Sequence, residues 1–120
     1  ELEKNIVALE TIQEQIEVLE NLSRENIFHF LENVDQWDVI SAAYAQSYLQ
    51  GDLEKIKTMG LRFPSRHSSV IDRRDQIFFE RARGYLEEGD ALLCVGAPHI
   101  LGLRRLLTAD GYSFRACHPQ

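Results

Sequence analysis

The sequence predicts an α/β domain: an open, mainly parallel sheet of about three strands with flanking helices. Two apolar runs carry this expectation, residues 6–9 (Ile-Val-Ala-Leu) and residues 91–95 (Ala-Leu-Leu-Cys-Val). Both are continuous rather than alternating, as in strands buried on both faces. The third observation is order. Helical segments separate these runs from each other and from an extended stretch at residues 112–117, as helical crossovers separate parallel strands. So small a sheet would have an open edge where further strands could pair.

The elements follow in turn. The first run ends on Glu10, and Thr11-Ile12-Gln13-Glu14 then reads as a capping box, hydroxyl to backbone and carboxylate back. Ile12, Ile16 and Leu19 continue at helical spacing, so a helix is expected over about 12–22. Ser23 is an N-cap for a second helix carrying Ile27, Phe28 and Leu31. Asp35 is the expected cap of a third, from Trp37 to Leu49, ended by Gly51. Asp52 opens a short fourth with Leu53, Ile56 and Met59 on its face and Gly60 at its end. Residues 60–67 read as a loop around Pro64. The longest helix spans 68–88, with Ser68 or Ser69 as cap and Gly89 as stop. After the second apolar run, Gly96-Ala97-Pro98-His99 breaks the chain, and a Leu-rich helix is expected over 100–108. Asp110-Gly111 turns into the last strand. No internal repeat or low-complexity linker is present.

Composition narrows the function classes. The 120 residues carry 13 basic and 19 acidic side chains, a net charge of −6, which disfavours nonspecific binding to nucleic acid or anionic membrane. No apolar run approaches the roughly 18 residues of a transmembrane segment. The two cysteines, Cys94 and Cys117, do not make a disulfide framework, and Cys94 is expected as a small buried hydrophobe. There is no initiator Met, and the chain reads as a piece of a longer protein. There is no P-loop, GxGxxG or GxSxG. His29 reads as packed or surface, and His67 and His118 lack metal-ligand spacing.

Three features depart from a purely structural pattern. On the wheel of the longest helix, Val70, Ile71, Ile77, Phe78, Ala82 and Tyr85 define an apolar arc. Arg74 falls in its middle and Arg81 close by, whereas Asp72, Arg73, Asp75, Glu80, Arg83 and Glu87 fall largely outside. An Arg on a buried face needs a partner: a structural ion pair, a buried carboxylate or an oxyanion. Second, Gly96-Ala97-Pro98-His99 lies where a buried strand should meet a helix, the place where ligands collect in parallel sheets. Gly96 allows close approach to a ligand, and His99 could ligate a metal or act as a base. Third, Glu10 holds the equivalent position after the first run. On neighbouring strands about 4.8 Å apart, both side chains would reach one rim. A helix-dipole role for Glu10 is the plainer alternative.

Leu9-Glu10-Thr11 with Glu14-Gln15, the pair Arg74-Asp75, and the stretch 91–112 with Gly96-Ala97-Pro98-His99, Gly102 and Gly111-Tyr112 resemble the TraB/PrgY/GumN family. That family is related to the Tiki metalloproteases and to the erythromycin-esterase-like and ChaN-like proteins. The resemblance covers nearly the whole chain. It implies the helix-rich C-terminal half of the family's domain, with the N-terminal half and its first G-x-x-H motif lying elsewhere. It implies a metal-dependent, peptidase-like hydrolase, inactive as this portion alone, acting on a peptide or small-molecule substrate. It assigns Glu10, Arg74 and His99 as candidate catalytic residues, Gly96 as cofactor-binding, and His99 and Glu10 as ligands of a divalent metal ion. Arg74 would hold the carboxylate or stabilise an oxyanion. A haem- or peptide-binding module without turnover is the alternative. A homodimer through the open edge is expected. Bacterial relatives are often exported or membrane-associated; the residues themselves leave the compartment open.

Overall fold

The computed structural model describes residues 4–63 and 68–117, with the backbone alone at Ser68 and Ser69. Residues 64–67 of the expected 60–67 loop, with Pro64 and His67, the Ser68 and Ser69 caps and His118 therefore lie outside what is described. Among the described residues the chain forms α1 (Ile12–Glu20), α2 (Arg24–Glu32), a 3₁₀ turn (Val34–Gln36), α3 (Trp37–Leu49), α4 (Leu53–Gly60), α5 (Ser68–Glu88) and α6 (Ala97–Ala109).

The parallel sheet is not there: among the described residues the fold is helical and contains no strand. Residues 4–8, 91–96 and 112–117 run without helix or ladder. Ile6 is 93% and Leu92 88% exposed, so these are not strands buried on two faces. The expectation failed because an apolar run records a preference for burial, whereas a strand needs neighbours for its N–H and C=O groups. The described residues supply no ladder: Leu9 O accepts from the Arg81 side chain and Tyr112 N donates to Leu107 O instead. Cys94 is likewise exposed rather than buried, and both cysteines are free thiols. The sheet edge expected to carry a dimer contact is absent with the sheet.

Local helix signals are realised. Thr11 Oγ1 accepts from Glu14 N at 3.2 Å while the Glu14 carboxylate accepts from Thr11 N at 2.7 Å, closing the capping box of α1. Ser23 caps α2 at Asn26 N, and Asp52 caps α4 at Lys55 N. Asp35 caps nothing; it sits within the 3₁₀ turn, and α3 starts without a side-chain cap. At the end of α5, Gly89 adopts φ +85°, the left-handed stop that favours glycine.

The core lies where α4, α5 and α6 meet, with Ile56, Ile71, Phe78, Ala82, Leu103 and Leu107 buried, and α3 adds Ile40. Ser47 is also fully buried, its hydroxyl donating to Ala43 O at 2.8 Å. A second cluster joins α2 to α3: the Phe30 and Trp37 rings lie 4.2 Å apart and Trp37 and Phe63 4.8 Å. By contrast α1 and α2 bury no residue completely. No described helix is long and apolar enough to cross a membrane.

Candidate functional site

The site is built on the face that α5 turns toward α6. Ile71, Asp75, Phe78 and Ala82 are all buried. Their spacing (i, i+4, i+7, i+11) makes one continuous stripe. Asp75 is thus inside the stripe, not outside it as the wheel suggested, and is 2% exposed. Arg74 takes the flank, its side chain 25% exposed. The wheel placed it a step too far inward because a broad apolar arc on a long helix has no marked centre.

Across from Asp75, α6 begins earlier than expected, at Ala97, with Pro98 in its first turn. Proline suits that position because its missing N–H would be unpaired there anyway. His99 consequently stands in the first turn of a helix, its N–H bonded to Gly96 O at 2.9 Å. The strand-to-helix loop imagined for it does not form. Gly96 has φ −65° and ψ 145°, backbone that any residue adopts, and a Cβ there would make only ordinary contacts. The turn itself therefore does not demand glycine.

His99 and Gly102, three residues apart, present one surface to α5. The His99 ring is buried, and its Nδ1 lies 2.6 Å from Asp75 Oδ1. Asp75 Oδ2 packs onto Gly102, where an added Cβ would overlap it and stand 2.7 Å from Cγ. Among the described residues, Asp75 Oδ2 is the buried side-chain polar atom left without a partner. Phe78 packs on the imidazole, ring centres 5.0 Å apart, and also faces the Arg74 guanidinium at 5.5 Å.

Arg74 turns outward to the N-terminal segment. Its Nε and Nη2 donate to the two oxygens of Glu10, each at 2.8 Å, in a bidentate pair. Two helical turns further along, Arg81 repeats the motif. It donates to Leu9 O at 2.8 Å and to both oxygens of Glu14 at 2.8 and 2.6 Å. Residues 9–14 are thereby fastened along α5. The Arg81 hydrogen bonds, followed by those from the Thr11 backbone and hydroxyl, lower the Glu14 pKa from 4.5 to about 2.

The structure therefore joins Glu10 to Arg74 but gives His99 a different carboxylate. Asp75 and Gly102 are the residues that sequence reasoning passed over as His99 partners. The i, i+4, i+7 relation of Asp75 to Ile71 and Phe78 could have found the first. A glycine inside a Leu-rich helix, where it costs about 1 kcal/mol relative to alanine, marks the second.

Two hollows adjoin α6. One, of about 310 Å³, is largely apolar and is lined by residues such as Leu93, Val95, Leu107 and Phe114. The other, of about 500 Å³, is open and carries Glu54, Lys57, Arg104 and Arg105. Neither has Glu10, Arg74 or His99 in its walls. No group of three or more His, Cys, Asp or Glu side chains among the described residues could hold a metal ion.

Neither a curated protein nor a solved structure matches the chain. A family model does, over residues 1–116. With nearly the whole length covered, the chain belongs to the TraB/PrgY/gumN family.

Proposed function

We propose that the chain contributes His99 to the site of a metal-dependent, peptidase-like hydrolase. One observation supports this reading: the His99 ring is gripped at Nδ1 by Asp75, while Nε2 makes no hydrogen bond to a described residue. A histidine held at one nitrogen and unbonded at the other is the usual arrangement of a metal ligand or a general base.

The fit of a divalent metal divides the two expected ligands. His99 fits as one ligand. Glu10 accepts one hydrogen bond from Arg74 at each oxygen, and a metal would have to use the lone pairs that remain. Glu10 and Arg74 also pin residues 9–14 to α5, beside the Phe78 ring that packs on His99. A catalytic metal of the zinc type takes about three protein ligands and an open position. The remaining ligands would then come from the family domain's N-terminal half and its first G-x-x-H motif. A metal so held would supply Lewis-acid polarisation. Within this chain, His99 would offer Nε2 to the metal or to the proton being moved, and Asp75 holds the ring at Nδ1.

The test is metal-stimulated hydrolysis of a peptide panel by a protein carrying both halves, with and without His99→Ala. Loss of turnover in a variant that still folds is the expected result, with a lowered melting temperature because Asp75 loses its buried partner. Unchanged turnover would refute the reading. The binding-module alternative rests on the apolar hollow of about 310 Å³, and a Soret band on haem titration would favour it.

A further inference from the structure

We propose that Asp75 is a positioning residue that holds His99 as the Nδ1–H tautomer and leaves the lone pair on Nε2, with Gly102 as the notch that admits its carboxylate. The inference rests on the reading of His99 as the reactive group and adds to it a residue and a proton position.

The contact itself fixes the direction of the hydrogen bond. An ionised carboxylate has no proton to give and only accepts. The proton between Asp75 Oδ1 and Nδ1, 2.6 Å apart, therefore belongs to the nitrogen. The nitrogen so committed leaves the other to accept a proton or bind a metal.

Packing alone does not account for Asp75. The residue is 2% exposed between Ile71 and Phe78, and its second oxygen has no donor. An aliphatic side chain there would avoid burying a carboxylate and orphaning one oxygen. Gly102 leads to the same conclusion from the other helix. Its close contact with Asp75 Oδ2 leaves no room for a Cβ, although alanine is otherwise the better residue inside a helix. Two locally unfavourable residues meet at one point, and what they jointly produce is a fixed imidazole. The tilted Phe78 ring, at 5.0 Å, limits rotation from the third side.

The experiment reads the tautomer directly. ¹⁵N-labelled chain is examined by long-range ¹H–¹⁵N correlation of the imidazoles, at a pH where the spectrum shows the His99 ring neutral. His99→Gln assigns the signals. The expected wild-type spectrum has a protonated Nδ1, an unprotonated Nε2 and a downfield Nδ1–H proton. Asp75→Leu is expected to lose that proton signal and shift the ring toward the Nε2–H form, and Gly102→Ala, by displacing the carboxylate, to do the same. A wild-type ring that is mainly Nε2–H, or an Asp75→Leu ring that stays Nδ1–H, would overturn the proposal. If Asp75→Leu does not fold, the wild-type spectrum decides alone. Neither substrate nor metal enters the measurement. Turnover that survives His99→Ala would therefore defeat the hydrolase reading and leave the tautomer result standing.

Discussion

Breaking the Glu10–Arg74 pair should loosen the N-terminal segment before it loosens the core. Opposite unit charges about 4 Å apart attract by about 4 kcal/mol at an effective dielectric constant of 20, and desolvation offsets part of this. The side chains are 9% exposed at Glu10 and 25% at Arg74, so water screens the pair only partly. The two deletions are unequal. Arg74→Leu strands a carboxylate with little access to water and should cost about 2–3 kcal/mol. Glu10→Gln strands a guanidinium that can swing into solvent, for about 1 kcal/mol. The double-mutant cycle should return a coupling of about 1–2 kcal/mol. Four proteins, wild type, both single variants and the double variant, would be compared by chemical denaturation and by amide exchange. The exchange increase is expected in α1 rather than at Ile71 or Phe78 of α5. Additive losses, with coupling under about 0.3 kcal/mol, would refute the claim that the bidentate contact holds the segment.

The second ion pair gives an acid signature. The Glu14 pKa is depressed to about 2, so its contribution to stability is complete above about 4.5 and is lost as pH falls toward 2. Carboxyl ¹³C titration should show Glu14 titrating at the low end of that window in the wild type and nearer its ordinary value in Arg81→Met. In the core, Ile56→Ala should cost about 2–5 kcal/mol by denaturant melting, because Ile56 is 1% exposed where α4 meets α6. Val39→Ala, at a position 73% exposed, should stay within about 0.5 kcal/mol.

How much was legible follows from the range of each interaction. Thr11 with Glu14, Ser23 with Asn26 and Asp52 with Lys55 are contacts over three residues. The helices they start could accordingly be read from adjacent letters. The Leu-rich helix was placed three residues late because Pro98 reads equally as a loop breaker and as a first-turn residue. Arg74 was recognisable as a cation needing a partner, and Glu10 as a carboxylate at a chain boundary. Their separation of 64 residues left the pairing itself to the fold.

The sequence by itself determined the helix boundaries near caps, the acidic surface, the family and the residues Glu10, Arg74 and His99 as ones to examine. Only the tertiary structure decided which charges meet. It gave Glu10 to Arg74 and Asp75 to His99, and left residues 91–95 without helix or ladder among the described residues. The physical reason is that caps and helical faces are set within one or two turns of chain. A ladder, a buried carboxylate or a glycine notch depends on an atom from a distant segment. Asp75 is an ordinary polar residue on its own helix. It becomes a buried partner of an imidazole only because α6 lies against α5 with Gly102 at the crossing.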